Sequence, residues 1–253
     1  MWNKKSQNHQ EIKASTIQLN ECLINITLTQ AGRRFLPYAE EIIRLYSESK
    51  EVIKGVEKPS GQLIIGASES VMVHWLPDMI IDFMEKYPKV ELILKSINYE
   101  HLITQLKKGD IDIAILVETA NWSEEELKIQ KISNEKLALI QSAKQQDKSK
   151  LDRTVFTEYS CSWRPIFEEY LKREGKSHLP KVELPSIEAI KKYILCGLRT
   201  PVLPYFTIEK EINNREVKEV STEIEDNSIA IYAALHKNKW LSVNLNTFLN
   251  FVN

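Results

Sequence analysis

From residue 62 onward, apolar positions alternate between short continuous runs and stretches spaced by three and four, the pattern of strands followed by helices. QLIIGAS reads as a buried strand ending in small residues, and VHWLPDMIIDFMEKYP as a helix stopped by Pro88. That helix carries Leu76, Met79, Ile80, Phe83, Met84 and Tyr87 on one face. VELILKS predicts a second strand, YEHLITQLKKGD a helix closed by Gly109, and IDIAILV a third strand. LKIQKIS and KLALIQSA predict two more strands, followed by the polar loop KQQDKSKLD.

The pattern then repeats. TVFTE, KVELP and TPVLP read as strands, and SWRPIFEEYLKREG, SIEAIKKYILCG and YFTIEKEINN as helices. Gly175 ends the first of these helices and Ser186 can cap the second. SIAIYAALHK predicts a returning strand, and LSVNLNTFLNFVN a closing helix with Leu241, Leu245, Phe248 and Val252 on one side. Strands separated by helices argue for βαβ units and mainly parallel sheets. The expected fold is α/β with two lobes: about 61–140 with 221–253, and about 141–220.

Upstream, Leu28 to Val56 has another period. After Thr29, a plausible helix N-cap, the residues Phe35, Ala39, Ile42, Tyr46, Ser49, Ile53 and Val56 fall at alternating spacings of four and three. One narrow apolar stripe flanked by charges needs a partner. The same helix of a second subunit and the helix's own domain are both open possibilities. Pro37 implies either a bend or a start later than Thr29. Gly55, Pro59, Ser60 and Gly61 end the segment, which divides the chain into 1–27, 28–58 and 59–253.

Composition narrows the function. At 253 residues, 43% hydrophobic and 27% charged, the chain resembles a soluble globular protein. A net charge of −1 supplies no global field for nucleic acid, so any DNA contact needs a local patch. Lys4, Lys5, Lys13, Arg33 and Arg34 form the one such cluster. Cys22, Cys161 and Cys196 are odd in number and lack CxxC spacing, which fits free thiols in a reducing compartment. The N-terminus carries no secretory signal pattern and no apolar run reaches membrane-spanning length, so the expected location is cytoplasmic. The five histidines lie in no metal-ligand spacing, and GxSxG, GxxxxGK[ST] and GxGxxG are all missing. No enzyme, metal or cofactor is expected.

LTQAGRRFLPYAEEII resembles the linker helix of LysR-type transcriptional regulators. GQLIIGAS, LPDMIIDFMEKYPKVEL, LITQLKKGDIDIAIL, SCSWRPIFEEYLKREG, SIEAIKKYILCGL and VLPYFTIEKEI match that family's effector-binding domain in order and spacing. The resemblance covers about residues 28–253. It implies two Rossmann-like lobes, like type 2 periplasmic binding proteins, preceded by a long linker helix. It further implies a small-molecule effector between the lobes, promoter DNA as partner, and a homodimer or homotetramer held by Phe35, Ala39, Ile42, Tyr46 and Ile53. The family's winged helix-turn-helix requires more chain than the 27 residues before Leu28, so residues 1–27 are expected to be a truncated or degenerate remnant. Arg199 stands where the family usually has a small residue.

The effector would sit at strand C-termini, where helix N-termini offer free N–H groups. Ser68, Glu69 and Ser70 occupy such a turn in the first lobe, and the resemblance puts Ser68 in the pocket; an N-cap role is equally open. Ser160, Cys161, Trp163 and Arg164 occupy the matching turn in the second lobe. Trp163 could be an aromatic wall and Arg164 a carboxylate fork. Cys161 reads more simply as a small buried hydrophobe than as a redox thiol. Thr119, with Glu118, is a weaker candidate after the third strand. The leading expectation is a LysR-type DNA-binding transcriptional regulator controlled by a small-molecule effector bound between two lobes, with intact and with impaired or lost DNA reading both left open by the short N-terminal segment. The alternative is a cytoplasmic small-molecule-binding protein of the same fold without DNA binding.

Overall fold

The computed structural model describes residues 28–54, 58–97, 99–143, 153–157, 161–197, 201–224 and 228–252. The expectations placed on Lys4, Lys5, Lys13, Val56, Ser160, Arg199 and the loop KQQDKSKLD fall outside them. The chain divides into two compact units, 1–43 and 44–253.

Helix α1 runs Gln30–Lys54. The Thr29 hydroxyl accepts the Gly32 N–H at 3.0 Å, satisfying one of the donors that a helix start leaves without a partner. The helix passes through position 37 unbroken, so a start later than Thr29 is corrected.

The first sheet contains β1 (Gly61–Ala67), β2 (Val90–Ser96), β3 (Ile113–Thr119), β4 (Leu127–Glu135) and the late strand β10 (Ile229–His236), in the order β2-β1-β3-β10-β4. β1 pairs in parallel with β2 and β3, whereas β10 runs antiparallel to both β3 and β4. Alternation along β3 shows why its sequence is a continuous apolar run. Ile113, Ile115 and Val117 enter the main core, while Ala114 and Leu116 enter a smaller cluster with Leu102, Leu106, Ile111 and Leu127.

The helix expected over 73–88 is two helices, α2 (Glu69–His74) and α3 (Leu76–Lys86), broken at Trp75. Leu76, Ile80 and Phe83 are buried as the spacing demands, but Met84 is exposed. Phe83 stacks edge-on against Phe248 and Phe251 of the closing helix α8 (Val243–Phe251), which ties the end of the chain to α3. Leu245 and Phe248 of that helix and its C-cap Val252 are buried, whereas Leu241, ahead of the helix, is exposed. Helix α4 (Leu102–Lys108) ends on Gly109 at φ 78°, a left-handed position that a side chain would strain.

The second group of strands corrects the expectation of mainly parallel sheets. β5 (Leu137–Ser142) lies between β8 (Val202–Pro204) and β9 (Val217–Val220), antiparallel to both. β5 is reached directly from β4 through Lys136, without a helical crossover, so nothing forces it to run with strands that are reached through helices. The segment of β9 lacks the apolar run by which the other strands are legible. β6 (Thr154–Phe156) and β7 (Lys181–Glu183) form a separate parallel pair. Helices α5 (Arg164–Arg173) and α6 (Ile187–Leu195) follow these strands, and α7 (Glu209–Asn213) precedes β9. Leu139, Phe156, Phe167 and Ile190 join Ile65 and Ile115 in one continuous core. Each such side chain contributes about 1.5–3 kcal/mol by leaving water.

Candidate functional site

A cleft of about 600 Å³ opens where the two groups of strands meet. On the side of the first sheet it is lined by Ser68, Glu69 and Ser70 after β1, by Ser96 at the end of β2, and by Tyr99 and Glu100 beyond it. The facing side contributes Thr157 after β6, Cys161 and Trp163 before α5, and Ser186 and Ile187 at the start of α6. Strand ends and helix starts therefore converge from both sides, as expected for an open α/β sheet at its switch point.

Local chemistry sets each of these side chains. Ser68 holds the N-cap position of α2 with extended backbone, yet its hydroxyl makes no capping bond; it lies 3.3 Å from the Ser70 hydroxyl. Both serines are buried, and Ser68 N–H donates to the Ile115 carbonyl at 3.2 Å, fixing the turn against β3. Ser186 does cap its helix, accepting the Ala189 N–H at 3.1 Å. Glu69 reaches across, its carboxylate accepting the Ile187 N–H at 3.4 Å. Trp163 is buried, with no hydrogen-bond partner for its indole N–H.

The cleft thus gathers Ser68, Glu69, Ser70, Cys161 and Trp163, and leaves out two expected residues. Thr119 does not line it; its carbonyl accepts the Tyr232 hydroxyl at 3.0 Å. Arg164 does not line it either. Its guanidinium donates to Glu183 at 2.9 Å, to Glu168 at 3.3 Å and to the Thr157 carbonyl at 3.3 Å, and lies 5.0 Å above the Phe156 ring. A cation beside a cleft turn reads the same in sequence whether it faces a ligand or its own carboxylates. Here the guanidinium faces the carboxylates of Glu168 and Glu183. Ser96, Tyr99, Glu100, Thr157, Ser186 and Ile187 were missed as cleft residues. The switch-point rule, applied to the end of β2 as it was to β1, would have found the first three.

Glu118, next to Thr119 at the end of β3, titrates unusually. Burial pushes its carboxyl up to about 7, against the Thr119 N–H and the Ser162 hydroxyl, which pull it down. A carboxyl whose folded pKa is raised lends stability that is present below 4.5 and lost as pH climbs through about 7. Glu118→Gln should remove on the order of 2 kcal/mol of that fall. Denaturant midpoints of both proteins between pH 4.5 and 8 read this out; parallel profiles would refute the assignment.

The arrangement is that of a two-lobed effector-binding domain. Residues 57–253 match the family described as LysR substrate binding domain. The chain belongs to the LysR family of transcriptional regulators. It is 32% identical over 235 residues to the uncharacterized HTH-type transcriptional regulator YwqM of Bacillus subtilis, covering 89% of this chain and 79% of that one. Among solved structures it resembles the Synechocystis CcmR regulatory domain in complex with 2-PG, with TM-score 0.63 and 23% identity over 76% of this chain and 96% of that one. The effector-binding domain of QuiR in complex with shikimate matches at TM-score 0.61 and 15% identity, over 77% and 96% of the two chains. The chain is a LysR-type transcriptional regulator with an effector-binding domain. The partners of such regulators are promoter DNA, a small-molecule effector and further copies of themselves. Among the described residues, no helix is long and apolar enough to cross a membrane.

Proposed function

We propose that the cleft between the lobes is the effector site, read by Ser68, Glu69, Ser70, Cys161 and Trp163 together with Ser96, Tyr99 and Ser186. The observation that carries this is the convergence of helix starts and hydroxyl side chains from both lobes on one cavity of about 600 Å³. That volume suits a small metabolite. In this reading the lobes are 61–136 with 229–252, and 137–220. The protein acts in the cytoplasm, catalyses no reaction and uses no metal or cofactor. Helix α1 joins two copies through Phe35, Ala39, Ile42 and Tyr46; the side chain of Ile53, expected on the same line, lies outside the described ones. Arg33 and Arg34, both exposed, add to the phosphate-binding charge of Lys4, Lys5 and Lys13.

Thermal-shift screening against a small-metabolite panel that includes 2-PG and shikimate tests the site. A true effector should raise the midpoint of the wild type and lose that effect in Ser96→Trp. Ser96 is exposed at the rim, so a large ring there fills the cleft without disturbing the core. An effector that stabilises both proteins equally binds elsewhere, and the reading fails.

A further inference from the structure

The short helix α2 touches α6 of the opposite lobe at both of its ends. At its first residue the Glu69 carboxylate accepts the Ile187 N–H at 3.4 Å. At its last residue the His74 imidazole Nε2 lies 3.3 Å from the Glu188 carboxylate. Ile187 and Glu188 are the first two residues of α6. The second contact is braced from behind: buried Lys191 pairs with Glu188 at 2.9 Å and with Glu211 of α7 at 3.0 Å. His74 Nε2 is buried and makes no hydrogen bond despite the short distance to Glu188. Burial, and then the Lys191 ammonium, hold its pKa below the ordinary value.

We propose that Glu69 and His74 form a two-point clasp between the lobes, with Glu69 as the element that responds to cleft occupancy. The Glu69 carboxylate both lines the cleft and satisfies a donor at the α6 N-terminus. An effector that takes that donor displaces the carboxylate and releases one end of the clasp, coupling occupancy to lobe separation. The functional consequence rests on the cleft reading above, but the clasp itself can be tested without any effector.

Amide hydrogen exchange at Ile187, followed in the full chain, reads the clasp directly. Glu69→Ala should speed exchange there about tenfold, and Glu69→Gln, which keeps an acceptor oxygen, by less. His74→Ala should also speed it, although that side chain does not touch the Ile187 N–H; only a clasp whose two ends act together predicts this. Amides of Ile115 in β3 and Ile140 in β5 serve as references for the two lobes. An unchanged Ile187 amide in Glu69→Ala overturns the bond. A response to Glu69→Ala without one to His74→Ala reduces it to a local cap and overturns the clasp. Equal acceleration at Ile115 and Ile140 reports general loosening and also counts against it. If the clasp holds while the metabolite panel yields nothing that Ser96→Trp blocks, the cleft reading alone has failed.

Discussion

Ile42→Asp combined with Tyr46→Asp should reduce the solution mass to that of one chain, 29.4 kDa, at concentrations where the wild type is at least twice that. The apolar surface of α1 is the reason. Phe35, Ile42 and Tyr46 are each about 60% exposed and stand on one line of the helix. Leu36 and Ile43 flank that line on one side, Tyr38 and Leu45 on the other, and all four are exposed too. The surface is therefore broader than the narrow seam that the heptad spacing implies, as if it met more than a single facing helix. Burying an aromatic or branched side chain contributes about 1.5–3 kcal/mol. Two such residues per chain become two carboxylates that would have to be desolvated on association. Across two chains the loss is on the order of 6 kcal/mol or more, over ten-thousandfold in dissociation constant. Light scattering at micromolar concentration decides it. An unchanged mass would show that the copies meet through other surfaces and that α1 has a different use.

The same helix shows what the sequence made legible. Period and capping are local, so Thr29 as cap and the line of Phe35, Ile42 and Tyr46 along one side of the helix could be read directly, whereas the passage through position 37 could not. Strand identity was legible wherever a strand is buried on both faces, as in β1, β3 and β10, because burial on both sides leaves a continuous apolar run. It was not legible for β9, half of whose side chains face outward. Strand direction is a property of partners, which period cannot carry, and the antiparallel β8-β5-β9 sheet was missed for that reason. The site divides in the same way. Turns after β1 and before α5 announce themselves by small residues at a strand-to-helix junction, and Ser68, Cys161 and Trp163 do line the cleft. The reach of a long side chain is decided by what lies within a few ångströms in space. Glu69 crossing to Ile187 and Arg164 turning to Glu183 were therefore both invisible in the sequence.

Arg164 is where that distinction has the largest energetic consequence. Were it a fork for an effector carboxylate, Arg164→Ala would leave the fold intact and abolish ligand binding. In the structure its side chain is 9% exposed, joined to two carboxylates and the Thr157 carbonyl, and stacked over Phe156. Removing it strips the arginine stem from the core side of α5 and leaves the buried Thr157 carbonyl without that donor. Glu183 and Glu168 are about half exposed and can be rehydrated, which lowers the cost below that of breaking a fully buried pair. Arg164→Ala should therefore lower unfolding stability by about 3 kcal/mol. Arg164→Lys should recover only part of it, because one ammonium cannot replace a planar fork that serves three acceptors. Urea unfolding of the three proteins measures both numbers. The lost stability should be largely insensitive to salt, since the packing and the carbonyl bond are screened far less than an exposed ion pair. A variant as stable as the wild type would return Arg164 to the cleft as a ligand-binding residue. Thr157 itself lines the cleft, so the loosened strand end in Arg164→Ala should weaken effector binding as a secondary effect of position.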